Sequence, residues 1–168
     1  MPVKQLTKCG LFAALTAICS WLAIPIGDIA VTMQTFIVFL GLFTLGGRGG
    51  SIAFFVYLCL GAVGAPVFSG FRGGIGAFAD PTGGYLWGLM LSCLLFWLLE
   101  GRKLPKLIIA AFAMILCYLC GTAWYYFAYL SGSSLGILVL KCVVPYLIPD
   151  GIKIWLSYTI SQKIKARI

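Results

Sequence analysis

Asp150 stands about eight residues into an apolar run from Cys142 to Ile160, and Lys153 follows three residues later. That spacing puts both side chains on one face of a helix. An ionisable group at membrane depth is destabilising by several kcal/mol unless it is paired or faces a water- or ligand-filled cavity, so it marks a functional site by default. The chemistry on offer is recognition: a carboxylate that accepts hydrogen bonds beside an ammonium that donates them. The plain alternative is an ion pair that neutralises itself and staples the bundle. Pro145 and Pro149 lie just upstream. They free backbone groups that are tolerated at depth only where protein or a cavity satisfies them, which favours a pocket opening outward.

Two other segments carry polar groups that could reach such a pocket. The connection PVFSGFRGGIGAFADPTGG holds Arg72 among Phe68, Phe71 and Phe78. It is too long for a simple turn, and compact loops of this length are lids or binding loops, or else dip their aromatics into the membrane interface. Its Gly74, Gly76 and Ala79 only weakly echo a dinucleotide fingerprint, with no βαβ pattern around them. Gln34, at the start of the second apolar run, is a weaker polar candidate whose alternative role is a helix-end hydrogen bond.

Much other chemistry is excluded. The chain has neither His nor Asn, which removes His-dependent triads, zinc sites with His ligands and haem His ligation. The seven cysteines mostly sit in apolar runs, where a thiol behaves as a small hydrophobe. Cys117 and Cys120 form a lone C-x-x-C at lipid depth, read as core rather than as a metal or redox site. GLFTLGGR begins like a P-loop but has Gly47 and Arg48 where Lys and Ser or Thr are required. No catalytic residue, metal or cofactor is expected.

The elements that must position these groups are membrane helices. Of 168 residues, 62% are hydrophobic and 10% charged, far from the soluble norm of about half apolar and a quarter charged. At ~20 residues per span, six spans use ~120 residues, leaving no room for a soluble domain. We expect an all-α membrane protein, a single domain over 1–168. Its spans run from Leu6 to Ile24, Val31 to Leu45, Ser51 to Ala65, Gly84 to Leu99, Leu107 to Leu130 and Cys142 to Ile160. The second and third are short for a ~30 Å hydrocarbon core. The N-terminus imitates a secretory signal but lacks an A-x-A site and is read as a retained first helix.

Twelve Lys and Arg against four Asp and Glu give a net charge of +8, read as the basic fringe that orients membrane helices rather than as a nucleic-acid footprint. With the N-terminus cytoplasmic, Lys4, Lys8, Arg48, Arg102, Lys103, Lys106, Lys163, Lys165 and Arg167 lie inside. Only Arg72 and Lys141 lie outside. Both termini are then cytoplasmic, and the IPIGDI loop with Asp28 and the Gly-rich connection with Asp80 are outer loops. Ala13 and Ala17 form a small-residue ridge on the first helix, with Gly10 and Ala14 beside it, suited to close helix packing within the bundle or with a partner. Gly84 and Gly88 carry the same ambiguity.

IPIGDIAVTMQTF, YLCLGAVGAPVFSGFRGGIGAF, DPTGGYLWG and PDGIK, in that order, resemble the BioY family, the biotin-specific substrate-binding (S) components of energy-coupling-factor vitamin transporters. The resemblance covers nearly the whole chain. It departs where Ala30 and Val31 replace a usual second proline and where Asp80 replaces a usual glycine. It implies a six-helix protein that binds biotin in an outward-facing pocket capped by the two outer loops and delivers it inward with a transmembrane coupling protein and two ABC-type ATPases. It also implies that Ala13 and Ala17 dock on the coupling protein.

Biotin offers two ureido N–H donors, a ureido carbonyl, an apolar thioether ring and a carboxylate on a flexible tail. The leading arrangement sets the ureido head against Asp150 and Lys153, the carboxylate near Arg72, and Tyr85, Trp124 and Tyr146 as aromatic walls. The reverse orientation remains open. So do an S component for another vitamin and a proton-coupled secondary transporter built on Asp150.

Overall fold

The computed structural model describes residues 1–26, 29–129 and 135–166. The elements run α1 (Val3–Trp21), β1 (Ala23–Ile26), β2 (Ile29–Thr32), α2 (Gln34–Ala62), α3 (Gly76–Ala79), α4 (Gly83–Leu99), α5 (Lys106–Tyr129), α6 (Leu135–Cys142) and α7 (Val144–Lys165). Asp28, Leu130 and Arg167 lie outside the described residues, as does the side chain of Lys141.

The long α2 is not one rod. Gly46 adopts φ 82 and ψ 166, a backbone conformation open mainly to glycine. A Cβ on Gly50 would lie 2.8 Å from the Cα of Leu42, whereas residues eight apart in a continuous helix are separated by about 12 Å. The chain therefore folds back at Gly46, and limbs 34–45 and 47–62 are the expected second and third spans. With α1, α4, α5 and α7 they make six long helical segments. Among the described residues, Lys106–Tyr129 is an unbroken helix long and apolar enough to cross a membrane, Gln34–Ala62 reaches that length only with its two limbs taken together, and Gly83–Leu99 is a shorter apolar helix.

Glu100 locks this reversal. One carboxylate oxygen accepts the Gly47 N–H, capping the second limb, and the other accepts from Lys106 Nζ at 2.8 Å. The backbone comes so close that a Cβ on Gly47 would lie 2.5 Å from the Cα of Trp97. Gly47→Ala is therefore expected to cost about 1–3 kcal/mol through overpacking. A thermal melt of the detergent-solubilised protein checks this, and an unchanged midpoint would refute the close packing.

Small residues set the other helix contacts. On Gly84 a Cβ would sit 2.2 Å from Trp124 Cβ, and on Gly88 it would sit 2.8 Å from the Cys117 carbonyl. This glycine pair thus seats α4 on α5. Buried serines join helices across the bundle: Ser51 Oγ donates to Cys93 O at 3.0 Å and Ser157 Oγ to Phe36 O at 2.8 Å. Such bonds replace the hydrophobic drive that is missing between helices in lipid. Phe43 meets Phe96 and Tyr158 edge-on at 5.6 and 5.4 Å, marking the core between α2, α4 and α7. The outward faces carry exposed Phe112, Ile115, Leu119, Ile152 and Trp155, whereas Asp150, Lys153 and Ser157 are buried. That inversion suits a lipid surround.

The structure corrects the expectation in four places. The fold is not purely helical: β1 and β2 pair antiparallel with Ile26 opposite Ile29, where an outer loop was expected. Residues 135–142 form α6 rather than a plain connection. The prolines do not break α7, since Pro145 occupies its first turn, where no amide partner is needed, and Pro149 is carried inside the helix. Ala13 and Ala17, expected as a docking ridge, are buried at 1% and 7% exposure. They let α1 lie close to the rest of the bundle, and the small residues left exposed on α1 are Gly10 and Ala14.

Candidate functional site

α7 brings Asp150 and Lys153 inward beside the first turn of α2 and the middle of α5. Lys153 Nζ donates to Asp150 Oδ1 at 2.9 Å and to the carbonyl of Thr32 at 2.9 Å. Thr35 Oγ1 donates to Asp150 Oδ1 at 3.2 Å, and Tyr118 OH donates to Oδ2 at 2.6 Å. Both charged side chains are about nine-tenths buried. The pair is thus neither bare nor isolated: it is the hub of a network joining β2, α2, α5 and α7.

Counting valences shows what the network leaves over. A carboxylate has about four lone-pair positions and an ammonium three N–H donors. Among the described residues, three acceptor positions and two donors are occupied, which leaves one acceptor on Asp150 and one donor on Lys153. Gln34 adds more, because its side-chain amide nitrogen is buried and has no partner among the described residues. Leaving a buried donor unpaired costs about 1–3 kcal/mol. The amide is therefore a donor that an acceptor in the adjoining cavity would satisfy.

These groups line one cavity of about 300 Å³, at the lower end of the ~300–1,000 Å³ range of small-molecule sites. Gln34, Tyr85, Tyr146, Asp150, Lys153 and Arg72 all line it, among apolar walls from Phe68, Leu86, Leu89 and Met114. Tyr85 is held by the flat face of Gly121, where a Cβ would fall 2.3 Å from its ring, and its hydroxyl lies 3.4 Å from Thr122 Oγ1. Cys117 also lines the cavity, and no cluster of potential metal ligands exists among the described residues.

Arg72 stands at the mouth. Phe71 has φ 58, and the bridge between Phe68 and Arg72 turns the arginine back toward the cavity. Its guanidinium is already engaged, with Nη1 donating to Asp80 Oδ2 at 2.7 Å and Nε to Ser69 O at 3.1 Å. Trp124, expected as an aromatic wall, is not among the lining residues. It covers Gly84 instead, and its Nε1 donates to the carbonyl of Asp80 at 3.2 Å, so it braces the loop from outside.

Sequence reasoning missed Thr32, Thr35 and Tyr118. The first two sit in the T-x-Q-T segment beside Gln34, and a buried acid that needs donors was the available signal for a hydroxyl partner such as Tyr118.

Known proteins share this sequence pattern and fold. The BioY family model matches residues 1–168. The "Probable biotin transporter BioY" of Pyrococcus horikoshii is 30% identical over 98% of this chain and 98% of its own length. The "Biotin transporter BioY" of Thermotoga maritima is 43% identical over 60% of each chain, so that match spans less than two thirds of the relative. A crystal structure of the S-component for biotin from an ECF-type ABC transporter superposes with a TM-score of 0.86 at 27% identity, covering 98% of this chain and 92% of that one. A second structure, an S component of a bacterial ECF transporter, shares the fold at a TM-score of 0.54 and 16% identity. Matched by that family model over its whole length and by a biotin S-component in fold, this chain belongs to the BioY family.

Proposed function

We propose that the chain captures biotin at the outer face of a prokaryotic cell membrane and hands it inward as the S component of an energy-coupling-factor importer. The observation that carries this reading is the acceptor on Asp150, donor on Lys153 and Gln34 amide that have no partner among the described residues, grouped in one cavity with apolar walls. A ureido ring presents the complementary set: an N–H for Asp150, and a carbonyl for Lys153 and Gln34. The thioether ring fills the space between Leu86, Leu89 and Met114, and the carboxylate reaches Arg72. Biotin is cargo, and no cofactor enters the scheme.

Basic residues orient the bundle, with Lys4, Lys8, Lys163 and Lys165 at the cytoplasmic side and the Arg72 loop outside. The hairpin β1–β2 and the 63–82 connection then cap the pocket. The energy comes from partners, a transmembrane coupling protein with two ABC-type ATPases. They are engaged through the exposed face of α1 that carries Gly10 and Ala14, and the whole bundle reorients to release biotin.

Titration of the detergent-purified chain with biotin tests the reading. Saturable binding with one biotin per chain is expected, and no heat of binding from a folded preparation would overturn it. Gln34→Ala is expected to weaken binding about tenfold, in keeping with the ~1–2 kcal/mol of a hydrogen bond to a buried donor. Unchanged affinity would remove Gln34 from the site.

A further inference from the structure

Arg72 and Asp80 sit on two arms of the same outer connection, and both arms are pinned. On one side Phe68 N–H donates to Arg72 O at 2.9 Å, and the Phe71 ring stacks on Trp21 at 4.9 Å. On the other, the Asp80 carbonyl accepts from Gly83 N–H at 2.8 Å and from Trp124, while the Ala79 carbonyl accepts from Tyr129 OH. The backbone between them has little to give. The long arginine side chain does, because the two charged groups are 49% and 39% exposed.

The guanidinium faces two ways. Nη2 lies 3.4 Å from Thr82 Oγ1, and Thr82, Ser69 and Arg72 line the cavity, whereas Asp80 does not. The acid therefore holds the cation from the outer side. Charge balance gives this a consequence. Asp150 cancels Lys153 and Asp80 cancels Arg72, so among the described residues an anionic ligand meets no uncompensated positive charge in the cavity. It must take Arg72 from Asp80 or share it.

We propose that Asp80 sets how strongly this site prefers a free carboxylate over its neutral analogue, by holding Arg72 until the ligand's carboxylate replaces it. This rests on the reading above that biotin's carboxylate reaches Arg72. The effect is of the size of an exposed ion pair, about fivefold in affinity. Asp80 is a positioning residue, because it acts through Arg72 and does not itself line the cavity.

The test compares biotin with biotin methyl ester, titrated into the same preparation, and reads the ratio of the two affinities. A partly misfolded fraction lowers both and leaves the ratio intact. Asp80→Asn is expected to raise the biotin-to-ester ratio about fivefold, and Asp80→Ser, which removes the charge with a different side chain, to do the same. Arg72→Gln is expected to bring the ratio close to one, and adding Asp80→Asn to it should then change nothing. If the ratio collapses in Arg72→Gln but stays at its parent value in both Asp80 variants, the proposal is overturned while the Arg72 subsite stands. A gain that persists in the double variant overturns it too, because Asp80 would then act by plain repulsion. A ratio indifferent to Arg72→Gln overturns the carboxylate placement and the proposal with it.

Discussion

Asp150→Asn is expected to weaken biotin binding by about a hundredfold or more, measured by calorimetric titration. Removing one member of a buried ion pair strands the other charge, which destabilises the folded site by about 3–5 kcal/mol, and asparagine also turns the acceptor edge that would meet the ligand, Lys153 and Tyr118 into one that is half donor. The single variant mixes damage to the network with loss of a ligand contact. A double variant, Asp150→Asn with Lys153→Met, separates them, because replacing a whole buried pair with uncharged groups is often neutral or stabilising. Its melting midpoint is expected to recover toward that of the parent while binding stays lost. Recovery of both would mean that the pair only staples the bundle, and a drop of less than tenfold in the single variant would place biotin elsewhere.

The helical frame was legible because its signals are large and local. Apolar runs bounded by Gly, Pro and charge place α1, α4 and α5 within a few residues, and the fold-back at Gly46 coincides with the basic Gly-rich break after Leu45. The hairpin β1–β2 was not read, although its cue was present: Gly27-Asp28 between short apolar stretches is a hairpin signal, outweighed by the expectation that membrane connections are loops. The inward face of α1 is hidden from the sequence for a different reason. Gly10, Ala13, Ala14 and Ala17 offer two adjacent small-residue ridges, and only tertiary packing decides which of them turns inward.

Within the site, Asp150 and Lys153 were legible from cost alone, since few arrangements tolerate two charges at that depth. The hydroxyl partners were not, because Thr and Tyr are unremarkable in an apolar helix until a buried acid is set against them. Trp124 shows the converse limit. Its type and height suit a pocket wall, but Gly84 opens a recess on the adjacent helix that takes the indole out of the cavity. Sequence gives the residue and its depth, while a neighbour's missing side chain sets its direction.

That distinction matters most for how capture is coupled to transport. Gly10→Leu combined with Ala14→Leu is expected to abolish biotin uptake by the assembled importer while leaving biotin binding by the isolated chain within about threefold. Both positions are exposed, and a Cβ on Gly10 would meet nothing within 4 Å. Larger side chains there cost the bundle little, yet they hold any partner helix away, and close approach across small residues is what favours helix association in lipid. Ala13→Leu should behave oppositely: at 1% exposure it overpacks the bundle by about 1–3 kcal/mol and lowers the melting midpoint. Parallel measurement of uptake, binding and melting separates the two ridges. Uptake that survives the Gly10 and Ala14 changes would move the docking face off α1, because no other role assigned to that face would leave transport intact.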